Sequence, residues 1–193
     1  MDAPAGHPDP ILIVIRGNSG SGKSTIARRL QRGHGRGCAL VEQDYLRRIV
    51  LRERDKQGGI APGLIARTVR YPLRHGYHVV LEGILHSGRY GDMIRELRAG
   101  HRRTHLFYLD VSLDETLRRH ERFRQAADFT GDDMRGWYAP HDVLGLAGEH
   151  VLPETTTVEK AVAVIAATSG LPLTGRDEDV LPRPRGAWKA PAG

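Results

Sequence analysis

Apolar and polar positions alternate along the chain in blocks of two kinds. Short, nearly continuous apolar runs lie at 11–16 (ILIVIR), 38–43 (CALVEQ), 78–84 (HVVLEGI), 104–111 (THLFYLDV) and 149–152 (EHVL). Between and after them run longer amphipathic stretches at 23–33, 45–56, 61–75, 89–100, 112–126, 131–138 and 157–169, where apolar residues recur at helical spacing. Strands apolar on both faces and separated by helices predict an α/β fold whose parallel sheet is covered on both sides. Two helix starts have the spacing of a capping box, Ser112 with Glu115 and Thr156 with Glu159, in which each side chain satisfies a free backbone N–H. The pattern fades after residue 170, where "LPLTGRDEDVLPRPRGAWKAPAG" mixes Pro, Gly and charge. Residues 1–170 are therefore expected to form one domain and 171–193 a tail, with Trp188 available to pin it to the body.

The strongest chemical signal falls between the first apolar run and the first helix. Gly17-Asn18-Ser19-Gly20-Ser21-Gly22-Lys23-Ser24 satisfies G-x-x-x-x-G-K-[ST] in full. Glycines let the backbone curl so that successive N–H groups point at a phosphate and no Cβ blocks its approach. The helix that opens at Lys23 adds further N–H donors, through Thr25 in its first turn, and the positive end of its dipole. Lys23 can reach the β- and γ-phosphates of ATP, and the Ser24 hydroxyl can serve Mg²⁺. An N-K-x-D guanine signature is missing, and nothing resembles a motor partner domain. A small-molecule kinase is favoured over a GTPase or a motor.

In an open parallel sheet the ligand lies beyond the carboxyl ends of the strands. Asp44 follows the second apolar run and Glu82 closes the third. One carboxylate can orient an acceptor hydroxyl and take its proton, and another can serve the metal through water. Asp44 is the candidate base, its alternative being a cap of the helix behind it. Glu82 is the candidate for metal or acceptor, its alternative being a loop hydrogen bond. Arg118, Arg119, Arg122 and Arg124 cluster after the fourth strand, where an arginine can cover the γ-phosphate. Arg119 and Arg122 rank first, with Arg124 a further ATP contact; a solvated helix face is the alternative. In "GDDMRGWYAPHD", Trp137, Tyr138 and Asp132 or Asp133 fit an aromatic or cationic acceptor, or simply a short helix packed on the core. His86 and Arg89 are placed to face the acceptor. His101 and His105 straddle a loop and a strand, so zinc is not expected.

Composition adds little. The net charge of +6 over 193 residues invites a nucleic-acid reading, but 25 of the 29 basic residues are arginine and lie scattered among acids. Arginine also serves phosphorylated small molecules through its planar fork. No apolar run approaches the ~20 residues that cross a bilayer, the opening "MDAPAGHPDP" lacks a leader pattern, and Cys38 is the single cysteine. A cytoplasmic protein is expected.

The glycine loop after strand one, Asp44 after strand two, Glu82-Gly83 after strand three and the arginines after strand four together resemble the P-loop kinase superfamily. The likeness is strongest to the branch holding chloramphenicol phosphotransferase, zeta toxins and the polynucleotide 5′-kinase domain, and it covers residues 11–170. It implies a three-layer P-loop NTPase fold, with a five-stranded sheet of order 2-3-1-4-5 and helices on both faces. It also implies a helical lid around 118–135 and Asp44 as the residue that activates the acceptor hydroxyl. His86 stands where nucleoside monophosphate kinases carry arginine, which argues against that acceptor. The expected partners are ATP, Mg²⁺ and a small hydroxyl acceptor: an antibiotic-like natural product, a nucleoside or a sugar derivative. A polynucleotide 5′-hydroxyl kinase and an ATP-dependent binding switch are the other readings.

Overall fold

The computed structural model describes residues 7–123 and 130–174. Five strands, β1 (Leu12–Gly17), β2 (Cys38–Glu42), β3 (His78–Glu82), β4 (Thr104–Asp110) and β5 (Glu149–Pro153), form one sheet of order β2-β3-β1-β4-β5. Every neighbouring pair is parallel. Among the described residues six α-helices surround it: α1 (Lys23–His34), α2 (Ala61–Arg74), α3 (Ser87–Gly100), α4 (Leu113–Phe123), α5 (Gly131–Trp137) and α6 (Val158–Ser169). This is the three-layer P-loop NTPase fold.

Strand alternation divides the core in two. Leu12 and Val14 of β1 face α2 and α3 with Val79, Leu81 and Leu106. Ile13 and Ile15 face α1 and α6 with Val80, Phe107 and Leu109. The same period of two carries Arg16 onto the α2/α3 side, where it is fully buried. There Arg16 donates to the Leu85 carbonyl at 3.0 Å and pairs with Asp142 at 3.0 Å and Glu149 at 3.1 Å.

Three local expectations differ from what forms. The helix expected over 45–56 is a π-helical turn, Tyr45–Val50, with no buried residue. Only Leu46 and, just past the turn, Leu51 pack against the core, while Tyr45, Ile49 and Val50 stay exposed, too narrow an apolar face to hold a longer helix. The chain then turns away at Arg52 (φ 52°), and Glu53 instead accepts the Ile60 and Ala61 N–H groups at the start of α2. Only half of the Ser112 box forms: its hydroxyl accepts the Glu115 N–H, but its own N–H goes to Glu154, while Glu115 turns to Arg118 and Arg119. The α6 cap is Thr157 rather than Thr156. A complete box of Thr130 with Asp133, an Asp in the place of the usual Glu or Gln, starts α5. Residues 171–174 run back along α1, with the Thr174 N–H on the Gly33 carbonyl at 2.7 Å. Trp188 lies outside the described residues.

Candidate active site

The loop between β1 and α1 turns where only glycine fits. Gly17 sits at φ 144°, and a Cβ there would lie 2.7 Å from the Leu109 carbonyl oxygen of β4. Lys23 is buried at the head of α1, its Nζ donating to the Asn18 carbonyl at 2.7 Å and to Ser21 Oγ at 3.3 Å. Burial pushes the Lys23 ammonium below its ordinary value, against the opposing pull of Glu82 and Asp44. Ser24 donates its hydroxyl to Glu82 Oε1 at 3.0 Å. Burial raises the Glu82 carboxyl above the usual carboxylate range, opposed by the Lys23 charge and the Ser24 hydrogen bond. Thr25 is exposed in the first turn of α1.

Asp44 flanks the π-helical turn without capping it through its side chain. Its two oxygens accept instead from Arg47 at 2.6 Å and Arg48 at 3.2 Å. Beside it Gln43 is buried and donates to the Tyr90 hydroxyl at 3.1 Å. Gly83 permits this approach, since a Cβ there would stand 2.6 Å from Gln43 Cβ. Tyr90 in turn donates to Asp55, which also pairs with Arg89 at 3.0 Å.

Most of these groups line one cavity of about 860 Å³. Ser19, Gly20, Lys23, Ser24 and Glu82 line one part, and Asp44, Arg47, Arg54, Asp55, His86 and Arg89 another. Residues 136–139 close a further side, where Trp137 is 41% exposed. Tyr138 turns its hydroxyl to the Val111 carbonyl at 3.1 Å. Asn18 fastens this side to the loop: its amide donates to the Ala139 carbonyl at 2.8 Å and accepts the Ala139 N–H at 3.0 Å.

The arginines after β4 part company. Arg119 bonds Glu115, the Ser21 carbonyl of the glycine loop at 3.1 Å and the Glu154 carbonyl at 3.1 Å. Arg118 is half exposed and held by Glu115. Arg122 belongs to α4, but its side chain, like Arg124, lies outside the described residues. Asp132 pairs with Arg135 at 2.8 Å and is absent from the cavity wall. Sequence reasoning missed Gln43, Arg47, Arg54 and Asp55 as cavity residues. The signal available was their nearness to Asp44, hidden by the expectation of a regular helix there.

Residues 12–137 match the family model described as an AAA domain, AAA_33. The chain belongs to this family. Similar solved structures to this AAA domain include a gluconokinase from Sinorhizobium meliloti 1021, 18% identical over 83% of this chain and 92% of that one, with a TM-score of 0.61. The Mycobacterium tuberculosis APS kinase CysC, in complex with AMPPNP and APS, is 18% identical over 83% and 97%, with a TM-score of 0.63. The Deinococcus radiodurans tunicamycin resistance protein is 17% identical over 84% and 96%, with a TM-score of 0.58. At such identities the likeness speaks for the fold. No curated protein sequence matches the AAA domain chain. Among its described residues, no helix is long and apolar enough to cross a membrane.

Proposed function

We propose that the protein transfers the γ-phosphoryl group of ATP to a hydroxyl of a small molecule in the cytoplasm. The observation that carries this reading is a phosphate cradle and a carboxylate, Asp44, on the wall of a single cavity. Two of the similar structures are named kinases, a gluconokinase and an APS kinase, which supports it further.

Ser24 and Glu82 fit Mg²⁺. Their hard oxygens already meet at 3.0 Å, beside the buried Lys23. When bound, the ion would neutralise charge on the triphosphate. The chain's own groups supply the rest. Main-chain N–H groups from Gly17 to Thr25 would hold the phosphates, and Lys23 would leave the Asn18 carbonyl for the phosphate oxygens. Asp44 would accept the proton of the acceptor hydroxyl as its oxygen bonds to the γ-phosphorus. The bond from that phosphorus to the β-phosphate oxygen breaks, and ADP leaves with the electron pair. Both Asp44 oxygens already accept from arginine, but a carboxylate has about four lone-pair sites and can take a further donor. Arg119, bonded to the Ser21 carbonyl, stiffens the cradle in this state. Arg122 and Arg124 are the candidates for covering the γ-phosphate.

The test is ADP release against a panel of hydroxyl compounds, with mass spectrometry of the products. A compound that gains one phosphate is the expected outcome. Tight ATP binding with release of free phosphate only, whatever the alcohol, would contradict the reading.

A further inference from the structure

We propose that the acceptor is an alcohol carrying an anionic group, a carboxylate or a phosphate, bound by the guanidinium groups of Arg54 and Arg89. This rests on the kinase reading and names the class of its second substrate.

The charges on the cavity wall beyond the glycine loop decide the sign. Its acids are Asp44, Asp55 and Asp133. Asp44 accepts from Arg47 and Arg48, and Asp55 from Arg89 and the Tyr90 hydroxyl. Asp133 closes the capping box with Thr130, accepting both its N–H and its hydroxyl at 2.8 Å. Asp44 and Asp55 are thus paired with arginine, Asp133 is tied to Thr130 alone and keeps its charge, and Asp132 pairs with Arg135 off the wall.

The arginines are in the opposite condition. Arg54 is exposed to the cavity and makes no hydrogen bond or ion pair among the described residues. Arg89 uses Nη2 on Asp55, while its Nε is buried without an acceptor. Arg47, held by Asp44 and the Glu53 carbonyl, likewise has a buried Nε without a partner. A buried donor left without an acceptor is destabilising. Oxyanions are the ligands that a guanidinium fork fits with two parallel bonds. His86 adds a donor on the same wall: its Nδ1 accepts the Gly88 N–H, so the neutral ring carries its proton on Nε2. Four arginines on this wall against three acids, two of them already paired with arginine, describe a subsite for negative charge next to the candidate base. Trp137 offers an apolar surface for the carbon skeleton.

Protein saturated with AMPPNP and Mg²⁺, so that the triphosphate site is filled, is titrated by calorimetry with four small hydroxyl compounds of different charge. These are glycerol 3-phosphate, glycerate, glycerol and choline. The anions are expected to bind and the neutral and cationic compounds not to. Arg54→Gln and Arg89→Gln should each weaken anion binding by about tenfold, the loss of one charge-assisted hydrogen bond. Arg54→Gln breaks no hydrogen bond or ion pair among the described residues, so its effect reads recognition. Arg95→Gln, which removes a surface charge paired with Asp92, should leave anion affinity unchanged. Choline binding as well as glycerol 3-phosphate would overturn the proposal. So would anion binding unmoved by both variants, or an Arg54→Gln defect in AMPPNP affinity instead. A 5′-hydroxyl oligonucleotide that displaces every small anion, with a steep salt dependence, would also overturn it and favour a polynucleotide acceptor. Failure to bind AMPPNP at all would remove the kinase reading, and the acceptor proposal with it.

Discussion

The two parts of the cavity are made of different material. From Ser19 to Ser24 the wall comes from one contiguous stretch, the glycine-rich turn from β1 into the start of α1, with its lysine buried. Around Asp44 the wall is side chain, drawn from 43–55, 82–89 and 133–139. Main-chain donors recognise any phosphate that reaches them, because every residue from Gly17 to Ser24 has an N–H. Side chains choose by shape and charge. On the proposed function, the first part would take a common substrate, ATP, and the second a particular one. Two devices hold the parts in register: Asn18 clamped on Ala139, and Arg16 tying Leu85 to Asp142 and Glu149.

Breaking the nucleotide part should cost most. Lys23→Ala is expected to lower transfer by about 10³-fold or more, as removal of a cation from the moving phosphoryl group does, measured as initial rates at saturating acceptor. A surviving rate near the parental one would detach Lys23 from the chemistry. Next comes the tie between the parts. Arg16→Met leaves Glu149, 4% exposed at its side chain, without its cation. Breaking a buried pair in this way costs about 3–5 kcal/mol, which denaturant unfolding would read. Asn18→Ala removes both bonds to Ala139 and should cost about 1–3 kcal/mol; a larger loss of acceptor affinity than of nucleotide affinity would sharpen the view that it anchors residues 136–139.

The smallest effect belongs to a region outside both parts. His78 is buried at the start of β3 and accepts the Ile11 N–H at 3.0 Å. Burial first, then the neighbouring His34, His7 and Arg103 charges, lower its pKa from 6.5 to about 4. The fold therefore favours the neutral ring. Its contribution to stability is complete above the unfolded value and fades as pH falls toward 4, because the unfolded chain takes up a proton that the folded one refuses. The melting temperature should drop between pH 7 and pH 4.5, with a shallower drop in His78→Gln and no change in the rank order of the active-site variants.

Much of the architecture was readable because each strand is a local apolar run. β1 to β5 lie where their runs predict, and the P-loop was legible as eight consecutive residues whose roles are largely those of backbone. The wall around Asp44 was less so. The stretch 45–56 carries helical spacing, but Tyr45, Ile49 and Val50 remain exposed. What organises it is tertiary: Asp44 on Arg47 and Arg48, Glu53 on the start of α2, and Asp55 on Arg89 and Tyr90. None of these pairings leaves a periodic trace. Arg16 was hidden for a related reason, since a charged residue ending an apolar strand reads as exposed until Asp142 and Glu149 are folded against it. His86 and Arg89, picked for their position after β3, do line the cavity.

The central claim is that Asp44 prepares an alcohol for phosphoryl transfer from ATP held by the glycine loop. Its most direct test follows the γ-phosphate. Isotopically labelled ATP is given to the parental protein and to Asp44→Asn with a working acceptor, while calorimetry records nucleotide affinity for both. The account predicts equal affinity, label entering an organic phosphate with the parental protein, and a loss of about 10²–10⁴-fold in the variant. Transfer by Asp44→Asn at the parental rate would contradict it.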